Sequence, residues 1–543
     1  HYDDVLAACR SHLRWLLLLV FPFVAAGAGA ESVASPVAAD PAGRAIAEHL
    51  AGAVQRRGDG AIQAVYESRD FRPVWFENGQ LRGRLEEVVG AIGIADLHGL
   101  NPADYRVPVM PGSDASAVPP EEVARLDLLI TGAVLRLAAD LRDGRFRPVD
   151  VDAKWRIAKS GRAEPEWFAR AVRDDNIGAA IDGMAPPHPQ YRYLQRALER
   201  HMALKAAGGW PSFGVSGPRR LELGDTHPQV TELRARLAVS DGPIAQVADP
   251  ELFDGDVEAA LKRFQRRHGL NDDGILGRRT RSALVVDIDQ RIRQLRASME
   301  RWRWMPREMG ADYVLVNVPV QRLWVYENDE AVLSMRTIVG KYKRQTPTFS
   351  SELTYFVLKP KWYVPTSIAV KDLVPKVQRD PEYYRRGSFT VYDRESGEQV
   401  DPDLVDWSAY GVGREFPFRL IQDAGRRNAL GSIKFMFPNP YGVYLHDTST
   451  PSLFRKDDRF FSSGCIRVEK PLELASSVLS RQEPTPPEKV GAMIAAAPAN
   501  RHLTLERTMP LYVVYMTAWA DEKDAYFYND FYKRDSKLLN SIN

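Results

Sequence analysis

Cysteine is nearly absent from this chain of 543 residues. There are two, Cys9 and Cys465. Cys9 lies in an N-terminal segment with the features of a removable leader, so export would leave Cys465 alone. A lone cysteine has no intramolecular disulfide partner, and reactivity is then the reason expected for its presence. Long hydrophobic runs are also missing. After Val24 no stretch reaches the about 18 apolar residues of a membrane span. Neither sign of charge is in excess: 73 Lys and Arg face 71 Asp and Glu, a formal balance of +2. No phosphate-neutralising face is announced, so nucleic acid is not an expected partner. Paired cysteines, H-E-x-x-H and a Walker string are lacking, so no metal and no nucleotide or other cofactor is indicated. What is present is a 44% apolar fraction, enough for packed cores and against wholesale disorder. The length suggests about three or four domains.

The N-terminus sets the compartment. Arg10 and Arg14 precede an apolar run from Trp15 to Val24, then Ala25-Ala26-Gly27-Ala28-Gly29-Ala30 and Glu31. This is a basic region, an apolar region and an A-x-A site with Ala28 and Ala30 as its small residues. The run falls short of the about 20 residues that cross a bilayer. The expectation is a signal peptide over residues 1–30 and a periplasmic protein with no stable membrane span after cleavage. An uncleaved N-terminal anchor is the alternative.

The expected class is multidomain α+β. Residues 31–215 read as a helical scaffold domain: Ala61 to Tyr66 and Leu126 to Leu141 carry apolar residues at helical spacing, with turn signals such as Gly99-Leu100-Asn101-Pro102 between them. Residues 219–286 form a compact module. Val230, Leu233 and Leu237 make one stripe, and Val257, Leu261 and Phe264 a second. Gly269 suits a helix C-terminus, Asp273-Gly274 a turn, and Thr280 to Leu284 a third short helix. Asp254 and Asp256 read as helix-start residues. This pattern resembles the three-helix peptidoglycan-binding domain found beside many cell-wall enzymes. Residues 287–310 are a linker helix whose Trp302 and Trp304 read as packing anchors.

From Asp312 the apolar period switches from helical to two. Tyr313 to Val318, Arg322 to Tyr326 and Ala331 to Val339 read as strands, with Glu327-Asn328-Asp329-Glu330 as a hairpin turn. Further strands are expected at Tyr355 to Leu358 and Ile433 to Phe437. The β-rich domain spans 311–520. Within it an insertion over 370–417, rich in charge, aromatics and turn formers, is placed to cap the site as a lid. Residues 521–543 form an aromatic, charged C-terminal tail with no assigned role.

His446 stands nineteen residues before Cys465, and both fall inside the β-rich domain. A cysteine attacks carbonyls as its thiolate, and a free thiol has a pKa near about 8.5, so a neighbouring imidazole must help. His446 is the candidate base. Acyl transfer also needs oxyanion donors. Ser463-Gly464-Cys465 can present adjacent main-chain N–H groups, and Gly464 permits close approach. Arg467, two residues past the nucleophile, emerges on the same face if the chain is extended and could hold a substrate carboxylate.

His446, fifteen intervening residues, then Ser462-Ser463-Gly464-Cys465 resembles the signature of the YkuD family, the L,D-transpeptidases. The family pattern ends in [ST]-H-G-C, so Ser463 replaces a histidine, as in the larger YcbB-type branch. Thr346-Pro347-Thr348-Phe349-Ser350, Lys361-Trp362-Tyr363-Val364-Pro365 and Asn428-Ala429-Leu430-Gly431-Ser432-Ile433-Lys434-Phe435 are also similar to that branch, as are the scaffold, the binding module and the insertion. The resemblance implies a periplasmic enzyme that forms 3→3 peptidoglycan cross-links. Cys465 would attack the bond between residues three and four of a tetrapeptide stem and hold the donor as a thioester. His446 would be the base, its ring oriented by the main-chain carbonyl that follows. Tyr444 would line the pocket, and Trp362 with Arg467 would contact substrate. Arg467 stands where shorter members carry Asn. Carbapenems would acylate Cys465. The implied partners are peptidoglycan stem peptides and other cell-wall synthesis enzymes. Two further readings stay open: an L,D-carboxypeptidase or related cysteine hydrolase, with water as acceptor, and a catalytically inactive wall-binding protein.

Overall fold

The structure, a computed structural model, describes residues 41–57, 59–77, 80–81, 84–107, 118–159, 166–245 and 247–542. The expected signal peptide lies outside them. Among the described residues no helix is long and apolar enough to cross a membrane.

The N-terminal region is mostly helical. Its longest helix, Pro120–Asp143, starts with proline and two glutamates in the first turn and ends at Gly144, the residue types that suit each terminus. Leu126, Ile130, Val134, Leu137 and Leu141 bury one stripe against Leu50, Val54, Val65 and Trp75. Asp127 on the same helix is fully buried. It accepts hydrogen bonds from the Tyr66 hydroxyl at 2.5 Å and the Val74 and Trp75 amides at 3.0 and 2.8 Å, which satisfies the carboxylate. A short ribbon pairs β1 (Phe76–Glu77) with β2 (Gln80–Leu81). The same region also supplies β3 (Trp155–Arg156), discussed below.

The second module packs helices Pro228–Ser240, Gly255–Arg267 and Arg278–Leu284 around Val230, Leu233, Leu237, Val257, Leu261, Phe264 and Leu284. Asp254 caps the middle helix through the Asp256 and Val257 amides at 3.1 and 3.0 Å. The next helix, Ile288–Arg303, is more than the linker expected over 287–310. Ile292, Leu295, Met299 and Trp302 join Trp304 in a core shared with Tyr313, Leu315, Tyr512 and Trp519. A helix apolar on several faces belongs inside, and this one is wrapped on both sides.

The third unit is built on β4 (Asp312–Asn317), β5 (Arg322–Glu327), β6 (Glu330–Gly340) and β7 (Thr348–Leu358). Then come β8 (Trp362–Tyr363), β9 (Phe389–Asp393), β10 (Gln399–Val400) and β11 (Phe418–Gln422). They are followed by β12 (Ile433–Met436), β13 (Leu445–His446), β14 (Phe460–Ser462), β15 (Ile466–Val468) and β16 (Arg501–Val514). The principal sheet runs β12-β13-β15-β6-β5-β4-β16-β7-β3, and β12 also pairs with β7. The strand path therefore closes on itself, which removes unpaired edges. Leu445, Ile466, Val468, Phe435 and Phe356 point into one core with the helix Pro471–Leu479. β3 adds to β7 in parallel, Trp155 opposite Thr348. The region expected to be purely helical thus lends a strand to the β-domain, because Trp155 is buried edge-on against Trp304, 5.2 Å between ring centres.

The insertion is a subdomain of its own. Its sheet runs β10-β9-β11-β8, and its core is formed by Val364, Leu373, Val374, Tyr384, Val391, Trp407 and Leu420. Its sheet and core therefore extend from Trp362 to Gln422, wider than the expected 370–417. The flanking strands β8 and β11 pair with each other, Gln422 opposite Trp362, and this pairing closes the unit at its base.

Residues 521–542, the expected C-terminal tail, are built into the fold. β17 (Ala518–Ala520) and β18 (Ala525–Phe527) form a hairpin whose Trp519 stacks on Trp324 at 4.9 Å. Arg534 makes a buried ion pair with Asp152 at 2.6 Å, and Asp535 pairs with Arg301 at 2.5 Å. Tyr532 donates to the Gly340 carbonyl, and Phe531 lies flat on Phe460 at 3.8 Å.

Candidate active site

β13 is the hinge of the site. It pairs antiparallel with β12, Lys434 opposite His446, and parallel with β15, His446 opposite Arg467. Directly opposed residues share a face. Lys434, His446 and Arg467 therefore form a row across three strands. One step earlier, the Ile466 amide donates to the Tyr444 carbonyl at 3.1 Å. Tyr444 and Cys465 each lie two residues before a member of that row, so they share its face. The intervening Leu445, Ile466 and Phe435 point the other way, into the core. The alternation that builds the sheet also sorts chemistry from packing.

Cys465 is partly exposed, and its sulfur lies 3.8 Å from the Gly442 carbonyl oxygen. Burial pushes its thiol pKa up. Hydrogen bonds from the Tyr444 amide and hydroxyl, and the charges of Lys434 and Arg467, pull the other way. His446 is buried. Its Nδ1 lies 2.5 Å from the Asp447 carbonyl oxygen. Only a protonated Nδ1 can donate to a carbonyl, so Nε2 is left as the free lone pair. Asp447 cannot swing away: its carboxylate accepts from the Ser432 amide and hydroxyl, both at 2.8 Å, and from the Thr448 amide at 2.6 Å. Burial first, then the Arg467 and Lys434 cations, push the His446 pKa down to about 3, against the Asp447 carbonyl, which favours the charged ring. The imidazole is held neutral, the form a base needs.

Tyr444 lies 5.6 Å from the His446 ring, and its hydroxyl is within electrostatic reach of Cys465. Burial and the sulfur raise the Tyr444 pKa, while a hydrogen bond from Trp362 lowers it. Trp362, at the base of the insertion, therefore lies on the far side of Tyr444 from Cys465. The Lys434 ammonium sits over the Tyr444 ring, 3.9 Å from its centre, a cation–π contact. Arg467 is largely buried, and its Nε has no hydrogen-bond partner. Burial lowers its pKa, and the Cys465 thiolate raises it.

The turn before Cys465 differs from expectation in one respect. The Gly464 amide donates to the Ser462 hydroxyl at 3.1 Å, and that hydroxyl donates to the Cys465 carbonyl at 2.5 Å. The side chain of Ser462 thus occupies the Gly464 N–H, which was expected to serve an oxyanion. Gly464 itself has φ +119, a region that favours glycine. Its carbonyl accepts from Thr346 Oγ1 at 2.9 Å, and the same Thr346 oxygen accepts from the Gly340 amide at 2.9 Å. At Gly340 a Cβ would lie 2.2 Å from the Arg344 carbonyl, so only glycine fits. Ser463 turns its hydroxyl to Arg344, which donates at 2.8 Å. Arg344 also grips Asp372 of the insertion, through Nη2 at 3.2 Å and through Nη1, and Lys341 adds a longer contact to Asp372 at 3.7 Å. The inserted subdomain is therefore tied to the turn before Cys465 through the Arg344–Asp372 salt bridge.

All seven residues singled out from the sequence fall in one neighbourhood: Cys465, His446, Tyr444 and Arg467 on the face, Ser463 and Gly464 in the turn, and Trp362 behind Tyr444. Sequence reasoning missed Lys434, Arg344, Asp372, Thr346 and Tyr532. Lys434 had one legible signal, a charge inside an otherwise apolar strand, Ile433-Lys434-Phe435-Met436.

Three family profiles match the chain: "Scaffold domain" over residues 60–198, "Putative peptidoglycan binding domain" over 226–284, and "L,D-transpeptidase catalytic domain" (YkuD) over 311–491. A curated Haemophilus influenzae protein bearing the name "Putative L,D-transpeptidase" is 34% identical over 225 residues, 41% of this chain and 45% of that protein. The chain thus spans under half the length of this relative. Solved structures that are similar include an L,D-transpeptidase from Mycobacterium smegmatis (12% identity, 38% of this chain and 58% of that one, TM-score 0.16). Another is the L,D-transpeptidase (residues 123–326) from Xylanimonas cellulosilytica (14% identity, 55% and 99%, TM-score 0.16).

Proposed function

The chain carries a YkuD-family L,D-transpeptidase catalytic domain beside a peptidoglycan-binding domain, and from this premise we propose that it is a periplasmic cysteine acyltransferase forming 3→3 cross-links between peptidoglycan stems. The observation that carries the reading is the strand register. Paired as they are, β12, β13 and β15 present Cys465, His446, Tyr444, Arg467 and Lys434 on one face.

In the first half-reaction His446 Nε2 accepts the Cys465 proton, and the thiolate attacks the carbonyl carbon of stem residue three. Negative charge gathers on that carbonyl oxygen. With the Gly464 amide engaged by Ser462, the Cys465 amide is the main-chain donor of the turn assigned to it. Collapse breaks the bond to residue four. The leaving D-alanine nitrogen takes the proton back from His446, and a thioester remains. In the second half-reaction an amine of a neighbouring stem attacks the thioester, His446 takes its proton, and the thiolate is released. Arg467 is placed to hold the carboxylate of residue four. Trp362, behind Tyr444, shapes the donor side under the capping unit. The module over 226–284 would keep the enzyme on its polymer, and the leader-like N-terminus supports the exported location.

The test is mass spectrometry of products from purified tetrapeptide muropeptides. Dimers formed by the wild-type chain and abolished by Cys465→Ala are expected. Tripeptides without dimers would replace transpeptidation with L,D-carboxypeptidase activity, and dimers persisting in the variant would refute the assignment.

A further inference from the structure

Lys434 has no obvious structural reason to be where it is. It sits on β12 between Ile433 and Phe435, which are both fully buried, and burial lowers its own pKa. Among the described residues it makes no salt bridge. The acids nearest the site are engaged elsewhere: Asp447 by Ser432 and Thr448, and Asp372 by Arg344 and Lys341. The charged and titratable groups facing Cys465 are thus Lys434 from β12, Tyr444 and His446 from β13, and Arg467 from its own strand. Arg344 and Asp372 neutralise each other at Ser463.

An unpaired cation in a partly buried site is costly unless an anion completes it. The one group on this face that can become that anion is the Cys465 sulfur. Burial holds the resting His446 ring neutral, so before proton transfer the cations beside the sulfur are Lys434 and Arg467. Lys434 stands level with His446 across the β12–β13 ladder. Its ammonium rests on the Tyr444 ring, and the Cys465 sulfur is close enough to the Tyr444 hydroxyl to raise its pKa. A cation on the face of a phenol makes its O–H a stronger donor.

We propose that Lys434 is a positioning residue of this site: its ammonium, held over Tyr444 and level with His446, favours ionisation of Cys465 and fixes Tyr444 beside it. The thiol proton passes to His446 Nε2, which holds it for the leaving amine, and the lysine lowers the cost of the negative sulfur. Arg467, by contrast, is left for the substrate carboxylate. This inference rests on Cys465 being the acyl-transfer nucleophile, but its test needs no peptidoglycan.

The experiment is the pH profile of iodoacetamide alkylation of the full chain, read by peptide mass on Cys465 so that Cys9 does not contribute. For Lys434→Met the inflection should move up by about one pH unit, which lowers the alkylation rate at neutral pH about tenfold. Lys434→Arg should restore the wild-type profile, because the charge and the cation–π contact both survive. His446→Gln should move the inflection far less than Lys434→Met does. If Lys434→Met does not fold, Lys434→Gln serves in its place. Profiles for the neutral variants that superimpose on wild type would overturn the proposal, as would an inflection governed by His446. Failure of muropeptide cross-linking alongside a lysine-dependent shift would overturn the transpeptidase reading and leave this one standing.

Discussion

Two parts of the molecule treat buried cations in opposite ways. Where the C-terminal segment meets the scaffold, Arg534 is held by Asp152 through three contacts of 2.6 to 3.1 Å and donates to Thr348 as well. Nearby, Arg301 is held by Asp535. On the Cys465 face, Arg467 and Lys434 are partly buried, and among the described residues neither forms a salt bridge with a carboxylate. The first arrangement fixes how segments distant in sequence dock. The second leaves electrostatic demand unmet, and unmet demand in a cleft is what a substrate carboxylate or an ionised sulfur can supply. Stability and function are separated by who carries the counter-charge.

Substitutions can sharpen or break this contrast, and the largest expected effect is on chemistry. His446→Gln removes the base while keeping a polar side chain. It should lower the rate of Cys465 acylation by about 10²–10⁴ with little loss of melting temperature, measured by intact-protein mass and calorimetry. Next comes Asp152→Ala, which strands Arg534. Breaking a buried pair costs about 3–5 kcal/mol, seen as a fall in chemical-denaturant midpoint. Arg467→Met should do the reverse: stability unchanged or slightly raised, and KM for the tetrapeptide donor raised about tenfold. Equal destabilisation by the two arginine-site substitutions would erase the distinction between them.

A smaller effect follows from buried neutral histidines. Burial lowers the pKa of His98 and His201 to about 4 and that of His446 to about 3. Between those values and the ordinary 6.5 the unfolded chain binds protons that the folded chain refuses. Stability from these groups is therefore fully present above about pH 6.5 and is lost progressively as pH falls toward 4 and then 3. Thermal melts from pH 7.5 to 4 should show this fall, and a flat profile would contradict it. The smallest change is expected for Asp372→Asn. Loosening the salt bridge that ties the capping unit to Ser463 is worth about 1 kcal/mol, or about fivefold in kcat/KM for acylation.

The cluster around Cys465 and His446 was legible because its candidate chemistry is local in sequence. A serine-rich turn, a glycine and a cysteine stand together, and a histidine precedes them at a fixed interval. The binding module was legible from its apolar stripes. The remainder depends on pairings between strands far apart in the chain. Lys434 reads as one polar residue of a half-exposed strand until β12 is set against β13. Ser462 blocks the Gly464 amide through a side-chain rotamer that residue order does not encode. Trp155 reads as a lone aromatic after a helix, yet it extends the sheet, because β7 has room for one more parallel neighbour. The final segment reads as aromatic and charged with no partner in view, yet Phe527, Phe531 and Tyr532 all pack into the cores. Tyr532 reaches both Gly340 and Thr346, so the end of the chain supports the nucleophile turn.

The most direct test of the account is peptide-mapped mass spectrometry of the full chain mixed with a tetrapeptide muropeptide and quenched in acid, before acceptor can clear the intermediate. The account predicts one adduct, the donor stem less its terminal D-alanine, attached at Cys465 and lost in Cys465→Ala. An adduct on another residue, or product formed with Cys465 never modified, would contradict it.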